Sequence, residues 1–164
     1  MPSDLVIRSA TLADAPALSA LRWRWAQPGR TPDAGEAQDF AAALARWMET
    51  QGERSACQVA ELDGALVGMA WLAVFERVPN PGDAVRRSGD VQSVFVVPEH
   101  QGRGIGLRLM ESLCAVADDL GIRKLTLDSR DSVMPFYERL GFRSQGTVMT
   151  RTRSTAPTVP AGAR

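Results

Sequence analysis

The spacing of apolar residues predicts one short strand and two helices before Gly52. Residues 5–7 alternate in the manner of a strand. The first helix is expected to begin at the N-cap pair Thr11 and Asp14, and its apolar side chains recur at helical spacing, at Leu18, Leu21 and Trp25. The second helix is expected to begin at a capping box, and its apolar stripe is formed by Phe40, Leu44, Trp47 and Met48. Two helices therefore precede the main run of strands.

Strand periodicity begins after Gly52. Residues 55–61 and 65–75 are both strand-like, and the dipeptide Asp63-Gly64 between them best fits a two-residue type I′ turn. An antiparallel hairpin is therefore expected. A long loop over residues 76–89 follows, and long loops in compact domains often carry function.

The next segment predicts a βαβ unit. Residues 91–97 form an apolar run of strand type, a helical stripe extends from Leu107 to about Gly121, and residues 124–128 alternate again. Because strand, helix and strand follow one another within roughly 40 residues, the two strands should lie parallel.

The last part of the chain predicts one more helix and further strands. The short helix is expected over residues 132–139, and strand-like residues continue to about Thr152. One domain over residues 1–152 is therefore predicted, because no internal repeat or change of composition suggests a second. The Pro-rich tail over residues 153–164 is expected to be flexible and to add little to any core.

Composition argues against several kinds of partner. Lys and Arg number 19, and Asp and Glu number 19, so the net charge is zero and neither nucleic acid nor an anionic membrane is predicted as a partner. The first ten residues lack a basic leader and a long apolar core, and no later apolar run approaches the roughly 18 residues that span a bilayer. A soluble, cytoplasmic protein is expected. Cys57 and Cys114 have no metal-type spacing, so no metal site is predicted.

The stretch VQSVFVVPEHQGRGIG, residues 91–106, carries the clearest chemical signal. A strand-type run ends at Pro98, and three alternate glycines follow where a helix begins: Gly102, Gly104 and Gly106. The first turn of a helix leaves its N–H groups unpaired and has a positive dipole end, so it binds anions. Glycine lets that backbone approach a phosphate closely. The stretch therefore predicts a pocket for a phosphorylated cofactor.

Two other phosphate-binding motifs fit this stretch poorly. A dinucleotide fingerprint, G-x-G-x-x-G, would need its third glycine at Leu107, although Asp128 could imitate the acidic residue that follows that motif. A P-loop would need Gly-Lys-Ser or Gly-Lys-Thr, and neither is present. A nucleotide-dependent oxidoreductase remains a third hypothesis for the function, testable by NAD binding.

Two motifs together resemble the GCN5-related N-acetyltransferase (GNAT) superfamily. The first is Gln101-x-x-Gly104-x-Gly106 after Val-Val-Pro, and the second is FYERLGF, residues 136–142. In that family the first motif is the acyl-CoA pyrophosphate loop, and the second carries a tyrosine beside the cofactor sulfur. The resemblance covers residues 5–152. It implies an α/β fold of mixed (α+β) type, with a mostly antiparallel central sheet, one parallel βαβ pair splayed around acyl-CoA, and about four flanking helices.

The resemblance also implies a role for each matching position. Backbone N–H groups from Gln101 to Leu107 would hold the pyrophosphate of acetyl-CoA, and the strand through Phe95 would pair with the pantetheine arm. Many members have Asn where this chain has Arg130, and a nearby serine is expected to supply that polar contact. The implied cofactor-binding residues are Phe95, Val96, Val97, Gln101, Gly102, Arg103, Gly104, Ile105, Gly106, Leu107, Ser129 and Ser132.

Transfer of an acyl group to an amine needs an oxyanion donor, an acid and a base. A backbone N–H near Phe95 could polarise the thioester carbonyl. Tyr137 could protonate the departing thiolate, because a phenol titrates near pH 10 and is protonated at neutral pH. Asp90 and Glu76 are the first candidates for the base. The alternatives Glu61 and His100 are weaker, since His100 lies in the phosphate loop.

The leading hypothesis is an acetyl-CoA-dependent N-acetyltransferase that acts on a primary amine of a small molecule or peptide. The alternative is a non-catalytic acyl-CoA-binding or protein-interaction domain of the same fold. Trp23, beside Arg22 and Arg24, could line an acceptor cleft, but the pattern does not identify the acceptor. A homodimer through the late strands is a further expectation that no residue pattern establishes.

Overall fold

One sheet of five strands organises the chain. The computed structural model describes residues 4–146 and 148–151. The strands lie side by side in chain order: β1 (Leu5–Ser9), β2 (Ser55–Leu62), β3 (Ala65–Glu76), β4 (Arg87–Val96) and β5 (Lys124–Leu127). Neighbouring strands are antiparallel from β1 to β4, and β4 and β5 are parallel. The predicted mostly antiparallel sheet with one parallel pair is confirmed.

In the described part of the chain, four α-helices flank this sheet: α1 (Ala15–Ala26), α2 (Ala34–Gln51), α3 (Ile105–Asp119) and α4 (Met134–Glu138). The beginning of α2 follows directly from local sequence. The Glu36 amide donates to the Asp33 carboxylate at 2.9 Å, and the Asp33 amide donates to the Glu36 carboxylate at 3.1 Å, as the predicted capping box requires. Within the described residues, no helix is long and apolar enough to cross a bilayer.

The helices cover opposite faces of the sheet. On one face, the rings of Trp47 in α2 and Trp71 in β3 meet edge to face with centroids 5.7 Å apart. On the other face, Gly68 of β3 lies so close to α3 that an added Cβ would stand 3.0 Å from Leu109 Cδ1. Because side chains alternate along a strand, every second residue of β3 faces α1 and α2, and the residues between them face α3. Residues 67–72 are accordingly all buried, which explains their continuous apolar run.

The predicted hairpin turn between β2 and β3 is confirmed. Asp63 has a φ of +50° and Gly64 a φ of +82°, so both central residues adopt the left-handed conformation that a type I′ turn requires. Leu62 and Ala65 are paired on either side of the turn.

Strand β4 departs from regular geometry at the place where the sheet opens. Its register against β3 shifts between Met69 and Trp71, so that β4 contains an extra residue there, and Ser93 in this bulge has a left-handed φ of +53°. On its other side, β4 is paired with β5 only from Ser88 to Val91. Residues 92–96 therefore extend past the end of β5. Residues 88–91 of β4, which are paired with β5, form a closed segment, and residues 92–96, which have no strand on that side in the described part of the chain, form an open segment.

The strands predicted after Phe142 are absent from the residues that the structure describes. Residues 143–146 and 148–151 contain no strand, and Val148 and Met149 are 73% and 95% exposed. Alternation creates a strand only where a neighbouring strand accepts its hydrogen bonds, and in the described part of the chain this segment has none. The prediction of late strands was therefore wrong for these residues. Thr152 and the predicted tail over residues 153–164 lie outside the described residues.

Candidate active site

A run of free backbone amides occupies the loop between β4 and α3. Gly102 and Gly104 have left-handed φ values of +76° and +75°, a conformation that allows a loop to direct successive N–H groups towards one anion. Within the described residues, the amides from Gly102 to Leu107 donate to no carbonyl, and the first helical bond runs from Arg108 N to Gly104 O. Six consecutive donors at the positive end of α3 form a cradle for a diphosphate.

Gln101 differs from the six residues that follow it, because its backbone amide and its side chain are both hydrogen-bonded within the protein. Its Nε2 donates to the Val96 carbonyl at 2.9 Å, and its amide donates to Pro98 O at 3.3 Å. Gln101 therefore ties the loop to the end of β4 and does not offer a free amide. The His100 Nδ1 beside it is buried without a partner in the described residues.

Helix α4 brings Tyr137 to the same end of the sheet. A Cβ added at Gly106 would lie 3.8 Å from Phe136 Cζ and 3.9 Å from Val96 Cγ2, so α4, β4 and the start of α3 converge there. The Tyr137 ring packs edge to face against Phe136 at 5.0 Å and Phe142 at 5.9 Å. Burial among these rings raises the pKa of the Tyr137 hydroxyl, since its charged form is desolvated. The phenol therefore stays protonated at neutral pH.

The open segment of β4 lies between the loop and α4. Phe95 remains paired with Met69 of β3, while β5 has ended at Leu127. Backbone groups of residues 92–96 that point away from β3 thus have no strand partner in the described part of the chain. This opening is the only gap between paired strands of the described sheet, and it adjoins the amide cradle.

Asp90 lies at the entrance to this opening, on the face covered by α1 and α2. Its carboxylate accepts hydrogen bonds from Gln92 Nε2 at 3.0 Å and from Thr126 Oγ1 at 3.1 Å. Gln92 is paired with Trp71, and antiparallel partners project to the same face, which places Asp90 on the Trp71 side. The carboxylate is therefore positioned by two neutral donors.

The other carboxylates proposed as bases lie elsewhere. Glu76 is exposed at the end of β3, paired with Arg87, and strand alternation places it on the α3 face, opposite Asp90. Glu61 accepts a hydrogen bond from Arg8 Nε at 2.9 Å and forms a salt bridge with that arginine near the start of α1. The structure therefore does not bring Glu76, Glu61 and Asp90 together.

The two serines predicted near the cofactor lie in the segment between β5 and α4. Ser129 and Ser132 are exposed, and Ser129 Oγ donates to the Arg130 carbonyl at 3.0 Å. Ser129 lies just after β5 ends at Leu127, and Ser132 lies just before α4 begins at Met134. Among the described residues, no group of three or more metal-ligating side chains is found.

Sequence reasoning missed the pair formed by Arg22 and Ser93. Arg22 Nη1 donates to Ser93 Oγ at 2.6 Å, linking α1 to the bulge of β4. No local signal marks Ser93 as a bulge residue, because serine is not selected for a left-handed φ in the way glycine is. The proximity of Arg22 to Trp23 in the sequence was the only indication that α1 borders the site.

A comparison with known families decides the classification. The family model described as "Acetyltransferase (GNAT) family" matches residues 17–142. The chain belongs to this family. The matched range includes most of α1, the amide cradle and α4, so the resemblance inferred from the two motifs is confirmed.

Relatives within the GNAT family include amino sugar acetyltransferases. The chain is 38% identical over 81 residues to a glucosamine 6-phosphate N-acetyltransferase of Trypanosoma brucei brucei, an alignment covering 49% of this chain and 53% of that protein. It is 28% identical over 71 residues to glucosamine 6-phosphate N-acetyltransferase 1 of Dictyostelium discoideum, covering 43% of this chain and 45% of that protein. The chain thus spans about half the length of these curated relatives.

Solved structures of acetyltransferases share the fold over most of this chain. An acetyltransferase of Trypanosoma brucei superposes with a TM-score of 0.72 at 27% identity, covering 92% of this chain and 100% of that one. A predicted acetyltransferase of Clostridium acetobutylicum, solved with acetyl-CoA, has a TM-score of 0.73 at 20% identity and covers 91% of this chain and 96% of that one. The second likeness concerns the fold alone.

Proposed function

We propose that this GNAT protein is an acetyl-CoA-dependent N-acetyltransferase that transfers the acetyl group to a primary amine by direct attack on the thioester. The observation that carries the proposal is the run of six free amides from Gly102 to Leu107 beside the opening between β4 and β5. Such a cradle suits a diphosphate, and the opening suits an extended pantetheine arm, which can pair with an unpartnered strand edge.

In this proposal the open backbone of β4 near Phe95 polarises the thioester carbonyl. The uncharged amine attacks the carbonyl carbon, a C–N bond forms, and the C–S bond breaks as the tetrahedral intermediate collapses. A backbone N–H donor directed at the carbonyl oxygen stabilises the charge that develops there. The products are the amide and free CoA.

Asp90 is the base that the geometry favours over Glu76. An alkylamine is mostly protonated at neutral pH and must lose a proton before or during attack. Asp90 lies at the entrance to the opening, whereas Glu76 faces the other side of the sheet. The proton reaches Asp90 directly or through one water, and its Gln92 and Thr126 partners hold the carboxylate in place.

Tyr137 is the proposed acid for the departing thiolate. Burial keeps its phenol protonated, and α4 positions the ring next to Phe136 at the mouth of the cradle. Loss of its proton to the thiolate leaves a phenolate, which regains a proton from solvent before the next turnover.

The acceptor is proposed to be a small amine, with glucosamine 6-phosphate as the first candidate. The support is the identity of several relatives, which are glucosamine 6-phosphate N-acetyltransferases. A peptide amine is the second candidate. Cytoplasmic location and a homodimer stay predictions.

The test combines binding and turnover. Thermal shifts are measured with acetyl-CoA and with NAD, and release of the CoA thiol is then followed with a panel of amines that includes glucosamine 6-phosphate and peptides. We expect stabilisation by acetyl-CoA, and thiol release that depends on an acceptor, with the acetylated product confirmed by mass. Binding without turnover across the panel would support the non-catalytic alternative, and stabilisation by NAD alone would overturn the proposal.

A further inference from the structure

Arg22 is a half-buried cation without an acidic partner in the described part of the chain. Its single side-chain hydrogen bond is the 2.6 Å contact with the neutral Ser93 hydroxyl. No carboxylate of residues 4–146 or 148–151 lies within salt-bridge distance, and Glu99, which approaches the same helix, is paired with Arg24 at 2.9 Å. Burial lowers the pKa of Arg22, which indicates that its charge is poorly solvated.

Arg30 provides an internal comparison for this environment. Both arginines stack on a tryptophan, since the Arg22 guanidinium carbon lies 5.3 Å from the Trp25 ring centroid and that of Arg30 lies 5.1 Å from the Trp23 centroid. Arg30, however, is exposed and forms a salt bridge with Glu36 at 2.6 Å. The exposed Arg30 therefore has a counter-charge within the described residues, and Arg22, beside the bulge, does not.

The position of Arg22 connects this unpaired charge with the proposed chemistry. Ser93, which accepts its hydrogen bond, lies in the bulge of β4, two residues before Phe95. Asp90 projects to the same face of the sheet but is bonded to Gln92 and Thr126. The guanidinium therefore borders the open segment from the α1 side, with most of its five N–H donors unused.

We propose that Arg22 is a specificity-determining residue that binds an anionic group, a phosphate or a carboxylate, carried by the amine acceptor. A partly buried charge is destabilising unless a counter-charge accompanies it, and a planar guanidinium matches both anions with two parallel hydrogen bonds. The contacts with Ser93 and Trp25 hold the side chain ready before the acceptor binds. This inference rests on the proposed function, because it concerns the acceptor of that reaction.

Two pairs of acceptors test the inference and distinguish the two anions. Glucosamine 6-phosphate is compared with glucosamine, and 4-aminobutanoate with 4-aminobutanamide, at saturating acetyl-CoA. We expect the wild-type protein to favour the anionic member of at least one pair by about 10- to 100-fold in kcat/KM, the range expected for a hydrogen-bonded charge pair. The pair that responds identifies the anion.

Three variants separate anion binding from support of the bulge. Arg22→Gln should raise KM for the anionic acceptor about 10-fold or more, while KM for acetyl-CoA stays the same, and Arg22→Lys should keep part of the preference. Arg30→Gln, which removes the other stacked arginine, should keep all of it. If Arg22→Gln lowers turnover of both members of a pair equally, or the wild type does not distinguish them, the inference is wrong.

A binding measurement keeps the inference testable even without turnover. The protein is saturated with CoA, which occupies the amide cradle, and is then titrated with inorganic phosphate and with acetate while its melting temperature is followed. We expect at least one anion to stabilise the wild type and Arg30→Gln but not Arg22→Gln. Absence of thiol release with every amine would overturn the proposed function alone, whereas equal anion responses in wild type and Arg22→Gln, or none in either, would overturn this inference.

Discussion

The two sides of the proposed site are built in different ways. The proposed donor side is one continuous segment, residues 95–107, whose unpaired backbone amides lie among left-handed glycines. The acceptor side is assembled from side chains on separate elements, with Arg22 on α1, Asp90 and Ser93 on β4, and Thr126 on β5. A site made of backbone amides depends on a few glycines close together in the sequence. A site made of side chains depends on where elements that are distant in the sequence meet.

This difference explains why the donor is easier to identify than the acceptor. A phosphate cradle needs glycine at fixed spacing, and that spacing is visible in the chain. An acceptor cleft can be lined by many residue types, and its neighbours are separated by up to 71 positions, as Arg22 and Ser93 are. Variants that affect the donor side and leave the acceptor side intact, or the reverse, therefore test directly whether the two sides work separately.

The largest effect is expected for Tyr137→Phe. Removing a general acid costs on the order of 100-fold or more in turnover. The fall should appear in kcat for thiol release, while KM for acetyl-CoA stays constant, because backbone amides hold the pyrophosphate. Since burial raises the Tyr137 pKa above its ordinary value near 10, its deprotonation should reduce wild-type activity only above that pH. A kcat equal to that of the wild type would exclude Tyr137 from the mechanism.

Asp90→Asn should have the next largest effect, on the acceptor side. We expect kcat to fall roughly 30-fold, below the usual range for a lost general base, because water can relay part of the proton transfer. Glu76→Gln is the matched control, and it should retain wild-type kinetics since Glu76 faces away from the opening. Steady-state thiol release measures both. A fall in kcat for Glu76→Gln, with wild-type kinetics for Asp90→Asn, would instead identify Glu76 as the base.

A smaller effect, confined to the donor, is expected for Gly104→Ala. A side chain at this left-handed position costs about 1–2 kcal/mol, so the loop shifts and KM for acetyl-CoA should rise about 10-fold. Gly121→Ala is the control, because Gly121 has a similar φ of +70° and also has open space beside it, but it lies after α3, at the opposite end from the cradle. The control should lose stability only. Equal KM changes in both variants would argue against a special role for the loop.

The smallest effect is expected for Asp14→Asn, which weakens the anchoring of α1. Arg8 lies 2.8 Å from the Asp14 carboxylate and lowers its pKa from 3.8 to about 2. Because the folded-state pKa is depressed, the ion pair stabilises the fold fully above pH 3.8 and loses this contribution as the pH falls towards 2. Urea unfolding should show a loss of roughly 1 kcal/mol or less at pH 7, since the pair is partly exposed.

The pH dependence is the check on that last prediction. The difference between Asp14→Asn and the wild type should shrink as the pH falls from 3.8 towards 2, and it should disappear below about pH 2, where the carboxylate is protonated in both the folded and the unfolded state. KM for acetyl-CoA should be the same in Asp14→Asn and the wild type at every pH, because Arg8, the partner of Asp14, lies on β1, at the edge of the sheet away from β4. A destabilisation that does not vary with pH would mean that the charge on Asp14 is not what holds α1.

Several structural features could be predicted because each depends on a few neighbouring residues. The Asp33–Glu36 capping box and the Asp63-Gly64 turn both have the expected geometry. The parallel pair of β4 and β5 follows from the helix between them, since a crossover helix returns the chain to the end of the sheet where β4 began, and β5 then runs in the same direction. The prediction of late strands failed because the alternation of apolar and polar residues does not show whether a neighbouring strand is available to pair with the segment.

The bounds of β4 illustrate how tertiary pairing overrides pattern. The strand was predicted to begin at residue 91, after a loop over residues 76–89, yet it begins at Arg87, and β3 extends to Glu76. Pairing of Ser88 and Gly89 with both β3 and β5 draws these small and polar residues into the sheet. Propensity alone would have left them in the loop.

The sequence by itself determined the donor side of this protein, its glycine cradle and the order of its main elements, because backbone conformation and hydrophobic period are set by adjacent residues. Only the tertiary structure decided the acceptor side. The bulge at Ser93, the face on which Asp90 lies and the uncompensated charge of Arg22 depend on contacts between segments far apart in the chain. Such contacts follow from packing and burial, which no local pattern records.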